Sequence, residues 1–379
     1  MFTESHGALV REVLIHGPIA RRDLGRRLGL SPPSLTRLAK PFLERGLFVE
    51  VEDTATRVVG RPTRPLDIAP GLGSFVGIKV TGNAIFAVLT DARARTIAER
   101  EIALTDHSPR VVVVQLAHII ATLREEGAPP LTGVGVSLGG VVDDAGRVIR
   151  APFLGWAGVD LGADLAETTG LPVVVENDVV ALVEAERWFG AGRGRSGFSV
   201  ITIGAGVGYG LVVGGESVHT REAGVGLGGH IPLDPSGPLC PEGHRGCSSA
   251  LITSVGVVAQ LQSALGRPVD YDEVLALAAG GHPAAAAVVD AAAAGLGRMI
   301  SLAANLTMQS TVVLAGEGLG LWSIAESKIR AAAAADRDPL ADTVDILVDD
   351  AGFGAWARGA AAIAIQAAVA RLEHTDWPR

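Results

Sequence analysis

The chain has 379 residues, 48% of them hydrophobic, 19% charged and 4% aromatic, which excludes long disorder and is enough for two or three domains with cores of Ala, Val, Leu and Ile. The net charge of −9 excludes a protein coated in positive charge, but residues 1–70 hold 11 Lys+Arg against 8 Asp+Glu, so the basic part is N-terminal and local. Neither a secretory leader nor a run of eighteen uninterrupted apolar residues is visible, so a cytoplasmic protein without membrane partners is expected.

Three short helices are predicted from Glu4 to about Leu47. Arg21 to Leu28 stops at Gly29, and Ser31 followed by Pro32 and Pro33 reads as an N-cap with proline in the first turn, so two helices meet at a tight turn. On the second, Leu35, Leu38, Phe42 and Leu43 form a packing face, with Pro41 expected to bend the helix or end its straight part. Thr36, Arg37 and Lys40 share an opposite face, with Ser34 near its start. Strand Phe48–Glu52, a Pro-rich loop and the return run Leu66–Ile68 form a hairpin. Within the loop, Gly60-Arg61-Pro62 and Arg64-Pro65 hold two arginines on extended backbone, suited to a narrow minor groove. A winged helix-turn-helix over residues 1–70 is therefore expected, with Ser34, Thr36, Arg37, Lys40, Arg61 and Arg64 as DNA-contacting residues. The plainer alternative is an ordinary helical hairpin and a solvated linker.

Beyond Gly71–Ser74, strands Phe75–Thr81, Ala84–Asp91 and Thr96–Ala103 precede βα units, and strands Phe198–Ile203 and Tyr209–Val213 open a second, similar half. The pattern predicts a doubly built α/β body with lobes at 71–190 and 191–379 and a cleft between them. Asn177-Asp178 closes a strand and opens a helix, where an open α/β fold presents ligand-binding groups; Asp178 as a plain helix cap is the alternative. The two cysteines, Cys240 and Cys247, lie in one loop-like segment, which excludes a disulfide framework and opens a metal or redox reading, with two free buried thiols as the alternative.

The segments GIKVTGNAIFAVLTD, GVSLGGVVD, APFLGW, ENDVVAL, ITIGAGVGYG and GGHIPLDPSGPLCPEGHRGC resemble the ROK family of repressors, open reading frames and sugar kinases, over about Gly7 to Leu372. The resemblance implies a two-lobed sugar-kinase fold of the actin-like, ribonuclease-H-like kind. By register with the kinases, Asp178 matches the base, Asn177, Gly140 and His230 match sugar contacts, and Gly204, Gly206, Gly208 and Gly210 match a phosphate loop. Lys79 replaces the metal-binding acid, and Leu227, Ser249 and Phe153 replace polar sugar contacts, so no ATP–Mg²⁺ chemistry and no catalytic residue beyond the residual base Asp178 are expected. The family's metal motif maps to His230, Cys240, Glu242 and Cys247, with His244 a second candidate for the fourth zinc ligand. The expected activity is that of a repressor, a homodimer or tetramer binding operator DNA and a small effector such as a sugar. The alternatives are a sugar kinase with an accessory DNA-binding arm, or a ligand-independent DNA-binding protein.

Overall fold

The computed structural model describes residues 4–52, 64–126, 129–220, 222 and 224–371. Helices α1 (Glu4–His16), α2 (Arg21–Leu28) and α3 (Pro32–Glu44) precede a two-stranded antiparallel wing, β1 (Phe48–Glu50) and β2 (Leu66–Ile68), in which Phe48 faces Ile68. Leu9, Leu14, Leu24, Leu35, Phe42 and Leu66 fill the core of this part. Phe42 stacks on Phe48 at 4.8 Å between ring centroids, which ties α3 to the wing.

The body opens with β3 (Ser74–Val80), β4 (Ala84–Asp91) and β5 (Thr96–Ala103), followed by α4 (Pro109–Arg124), β6 (Leu131–Leu138), the short β7 (Val141–Val142), the antiparallel pair β8 (Val148–Ala151) and β9 (Trp156–Val159), α5 (Leu161–Thr169) and β10 (Val173–Asn177). The first sheet has the order β10-β6-β3-β4-β5, antiparallel from β3 to β5 and parallel between β3 and β6. The chain continues through α6 (Asp178–Trp188), β11 (Gly197–Ile203), β12 (Val207–Val213), β13 (Glu216–Ser217), α7 (Ser248–Ile252), α8 (Ser254–Leu265), α9 (Tyr271–Ala279), α10 (Pro283–Thr307), β14 (Thr311–Ala315), α11 (Gly320–Ala335), β15 (Asp345–Val348) and α12 (Gly352–Arg371). The second sheet repeats the scheme in the order β13-β12-β11-β14-β15, with β11, β14 and β15 parallel.

The expected boundary at residue 190 and the assignment of the C-terminal helix to the second lobe need correction. One compact unit comprises residues 1–138, 142–176 and 356–379, and the other comprises residues 139–141 and 177–355. Packing explains why α12 belongs mostly with the first sheet. A Cβ on Gly77 would lie 2.0 Å from the Ala357 carbonyl oxygen, and one on Gly135 would lie 1.8 Å from that of Ala360. Adjacent strands thus present a bare strip, and the small residues Ala357, Ala360 and Ala361 of α12 press backbone against it. The helices α10 and α12 are long and apolar enough to cross a membrane, yet most of each apolar window is buried within the protein, the state of a core helix.

A methyl group at Gly135 has nowhere to go, so Gly135→Ala is expected to lower stability by about 1–3 kcal/mol or more through overpacking. Urea unfolding monitored by tryptophan fluorescence reads this, and an unchanged midpoint would show that α12 can move off the strip.

Candidate functional site

At the N-terminal end the helix-turn-helix forms as its punctuation predicts. Gly29 closes α2 in the left-handed conformation at φ 64°, and the Ser31 hydroxyl accepts from the Ser34 N–H at 3.4 Å to cap α3. Leu35, Ala39 and Phe42 are fully buried, Leu38 and Leu43 half-buried, and the helix runs through Pro41 to Glu44. Thr36, Arg37 and Lys40 are exposed on the other face. Their chemistry differs in availability. The Ser34 hydroxyl lies 3.0 Å from that of Ser31 in the cap, the Thr36 hydroxyl donates to the Pro32 carbonyl at 2.9 Å, and Lys40 pairs with Glu44 at 3.6 Å. Arg37 makes no side-chain hydrogen bond or ion pair among the described residues, so its guanidinium is the group ready for an external acceptor.

On the wing, Glu50 accepts from Arg21 at 2.7 Å and lies 3.5 Å from Arg64, an exposed cation beside β2. Arg61 and most of the loop around it lie outside the described residues. The hydrogen bond from Arg21 holds the Glu50 carboxyl below its ordinary 4.5, with both arginine charges adding to the effect. A carboxyl lowered in the folded state adds stability above the ordinary value and loses it as pH falls through the lowered one. Glu50→Gln is therefore expected to cost up to about 1 kcal/mol at neutral pH, with the difference from wild type vanishing in thermal melts as the pH falls through the lowered carboxyl value.

In the body, Asn177, not Asp178, caps α6. Its side-chain oxygen accepts from the Val179 and Val180 N–H groups at 2.9 and 3.2 Å, and its amide donates to the Gly140 carbonyl at 2.9 Å. The amide is thereby engaged at both ends, its oxygen by the start of α6 and its nitrogen by Gly140. Asp178 sits at the first helical position, half-buried, where the helix dipole favours its negative charge. Gly140 is buried, its carbonyl 2.3 Å from where a Cβ on Gly224 would stand.

The glycines of the second loop divide by role. Cβ atoms on Gly208 and Gly210 would lie 2.4 Å from Val179 and 2.3 Å from Val183, so these two glycines let α6 lie against β12 and have no room for phosphate. Gly206 alone of the four has open space on its side-chain face. Lys79, standing in the register of the kinases' metal-binding acid, is 6% exposed and holds its ammonium 5.0 Å above the Trp356 ring. A cation in that place repels Mg²⁺. Leu227 and Phe153, which stand where the resemblance places polar sugar contacts, are 62% and 60% exposed.

His230 ends a short 3₁₀ turn, and Cys240, His244 and Cys247 follow on a tight loop that Gly243 and Gly246 turn at positive φ. The Cys240 sulfur lies 3.8 Å from His230 Nδ1 and 3.6 Å from His244 Nδ1, and the Cys247 sulfur lies 3.8 Å from His230 Nδ1. Two ligands on a tetrahedral zinc, one at about 2.3 Å through sulfur and one at about 2.0 Å through nitrogen, stand about 3.6 Å apart, so the side chains fit such an ion. The group whose ligand atoms converge is His230, Cys240 and His244, all within 4.8 Å of one another. Glu242 and Cys247 are outside that group, and His244, the second candidate for the fourth ligand, is inside it. Glu242 remains close by, since a hydrogen bond from Cys240 and then the nearby histidines hold its carboxyl low. Burial pushes the Cys247 thiol up, with Cys240 adding to the shift.

The model of the ROK family matches residues 75–367. The chain belongs to the ROK family. Among its relatives, the DNA-binding transcriptional repressor Mlc of Escherichia coli is 30% identical over 79% of this chain and 77% of its own length. The xylose repressor of Bacillus spizizenii is 25% identical over 71% of each chain. A solved ROK transcriptional regulator, described as a homologue of the E. coli Mlc protein, superposes with a TM-score of 0.79 over 96% of this chain and 95% of its own, at 24% identity. A ROK glucokinase from Streptomyces griseus, solved with glucose and AMPPNP, superposes with a TM-score of 0.66 over 78% of this chain and all of its own, at 26% identity. The two-lobed ROK fold is thus shared by regulators and kinases, and the helix-turn-helix lies ahead of the ROK match.

Sequence reasoning did not single out Arg93. Its guanidinium, from the β4–β5 turn, pairs with Asp67 of the wing and donates to the carbonyls of Val13 and Leu14 at 3.0 and 3.2 Å, closing the C-terminal end of α1. An arginine in a hairpin turn carries no local signal of such a role.

Proposed function

We propose that this ROK protein is a cytoplasmic, dimeric transcriptional regulator, a repressor, whose residues 1–70 read operator DNA and whose body senses a small ligand. The observation that carries the reading is the exposed face of α3 with an unengaged Arg37, on a helix-turn-helix placed ahead of a ROK body. Arg37 and Thr36 read base edges in the major groove, Lys40 neutralises phosphate, and Arg61 and Arg64 reach into the minor groove. Paired heads on a dimer read paired half-sites. The names of the repressor relatives support the same reading. The ligand is a sugar or a less hydroxylated molecule, because Leu227 and Phe153 offer no bidentate clamp for adjacent hydroxyls. Asp178, Asn177, Gly140 and His230 are the groups proposed to meet it.

Arg37→Ala is expected to weaken operator binding by about 1–3 kcal/mol and relax specificity, whereas Lys40→Ala weakens all sequences alike and lowers the salt slope. Fluorescence anisotropy across a salt series separates the two. Undiminished operator binding by a chain lacking residues 1–70 would refute the assignment.

The retained Asp178 favours a second reading, a sugar kinase. Lys79 argues against it, because a metal that neutralises the transferring phosphate cannot share its place with an ammonium group. ATP consumption with a sugar panel is expected to be undetectable, and turnover abolished by Asp178→Asn would overturn the regulator reading of the body.

Zinc is the proposed ion of the His/Cys loop, held by His230, Cys240, His244 and Cys247. When bound it supplies a closed structural cross-link, and the residues themselves fix the loop that carries His230. Metal analysis of chelator-free protein is expected to give about one zinc per chain, kept in Glu242→Ala and lost in His244→Ala. Retention by His244→Ala with loss in Glu242→Ala would restore Glu242 as the fourth ligand.

A further inference from the structure

The turn Gly204-Ala205-Gly206 between β11 and β12 is occupied by a side chain of the protein itself. Glu317 Oε1 accepts from the Ala205 N–H at 2.8 Å. Its carboxylate lies across Gly204 so closely that a Cβ there would stand 2.0 Å from Oε1 and 2.1 Å from Cδ. The missing side chain at Gly204 is the space that this chain's own carboxylate fills. The turn bearing Glu317 is itself pinned. The Gly318 N–H donates to the Ile203 carbonyl at 2.8 Å, and Gly316 takes φ 105° with that carbonyl 2.4 Å from where its Cβ would be. Glu317 also stands just ahead of α11, whose N-terminal N–H groups favour negative charge.

A further cavity adjoins this turn. The main-chain N–H of Ser254 donates to the Gly204 carbonyl at 2.8 Å, and the Tyr271 hydroxyl donates to the Gly318 carbonyl at 2.8 Å. Burial pushes the Tyr271 phenol to about 12, so it stays a donor at any physiological pH. Ser254 and Tyr271, with Val255, Val258, Ala259 and Gln262, line a mainly apolar depression of about 280 Å³. An apolar depression beside backbone N–H groups on a glycine turn has the polarity of a nucleotide: flat base on one side, phosphates on the other.

We propose that the Glu317 carboxylate is the built-in occupant of this anion site and the residue that excludes nucleoside polyphosphates from the body. Its oxygen takes the Ala205 donor that a phosphate oxygen needs, and its charge repels any phosphate brought within a few ångströms. The proposal goes beyond the regulator reading, since it holds whether or not the chain binds DNA. It also adds a cause of nucleotide exclusion separate from Lys79, which acts on the metal.

The test is calorimetric titration of the full chain with sodium tripolyphosphate and with MgATP, comparing wild type, Glu317→Ala and Glu317→Gln. Glu317→Ala is expected to gain a tripolyphosphate site at least tenfold tighter than any that wild type shows. Glu317→Gln is expected to fall between them, because its amide oxygen still accepts from Ala205 without repelling the anion. Coinciding isotherms for wild type and a folded Glu317→Ala, or wild-type MgATP binding as tight as the variant's, would overturn the proposal. Should Glu317→Ala fail to fold, Glu317→Gln decides, since it keeps the shape of the side chain and removes only the charge, and isotherms that coincide with those of wild type would overturn the proposal as well.

Discussion

A helix that reads DNA can report on a body only if the two are mechanically joined, and Arg93 makes that joint. Its guanidinium, with a side chain only 18% exposed, satisfies two carbonyls at the end of α1 and the carboxylate of Asp67 on the wing at once. These acceptors belong to different elements of the N-terminal domain, so one rigid fork fixes both against the first hairpin of the body. Gly17 is part of the same joint, because a Cβ there would lie 2.5 Å from the Arg93 guanidinium and 2.7 Å from Asp67. A swing of the domain breaks charge-assisted bonds that are shielded from water, each worth about 1.5–3 kcal/mol.

The same α/β body serves kinases and regulators in this family. By the resemblance, Lys79, which lies over Trp356, stands in the register of the kinases' metal-binding acid. Exposed Leu227 and Phe153 stand where the same resemblance places groups that hold hydroxyls. None of these changes disturbs the sheets, because the glycines that resemble a phosphate loop mostly serve packing. Gly208 and Gly210 seat α6, as Gly77 and Gly135 seat α12. The fold is kept by close backbone approach, which leaves the chemistry free to change.

Much of this was legible in the sequence because punctuation is local. Thr253 and Asp270 cap α8 and α9, and Gly266 and Gly280 close them, signals that stand within or next to the helices they bound. The helix-turn-helix was readable from Gly29, Ser31 and two prolines for the same reason. The home of α12 was not, since an alanine-rich helix has no polar face to orient it and its partner strands lie more than two hundred residues away. Nor could spacing show that His244 converges with His230 and Cys240, because a loop turned by Gly243 and Gly246 brings side chains together by backbone geometry that their order does not encode. A glycine needed for a positive φ, for a helix contact or for a ligand has the same letter, and the four glycines of the second loop proved to serve different ends.

The central claim is that this ROK chain acts on DNA through α3. In vitro selection from sheared genomic DNA, sequenced after several rounds with wild type and with Arg37→Ala in parallel, tests it most directly. The account predicts that wild type enriches a small set of sites with paired half-sites about one helical turn apart, and that Arg37→Ala loses them. Enrichment of the same sites by both proteins, or of none by wild type, would contradict it.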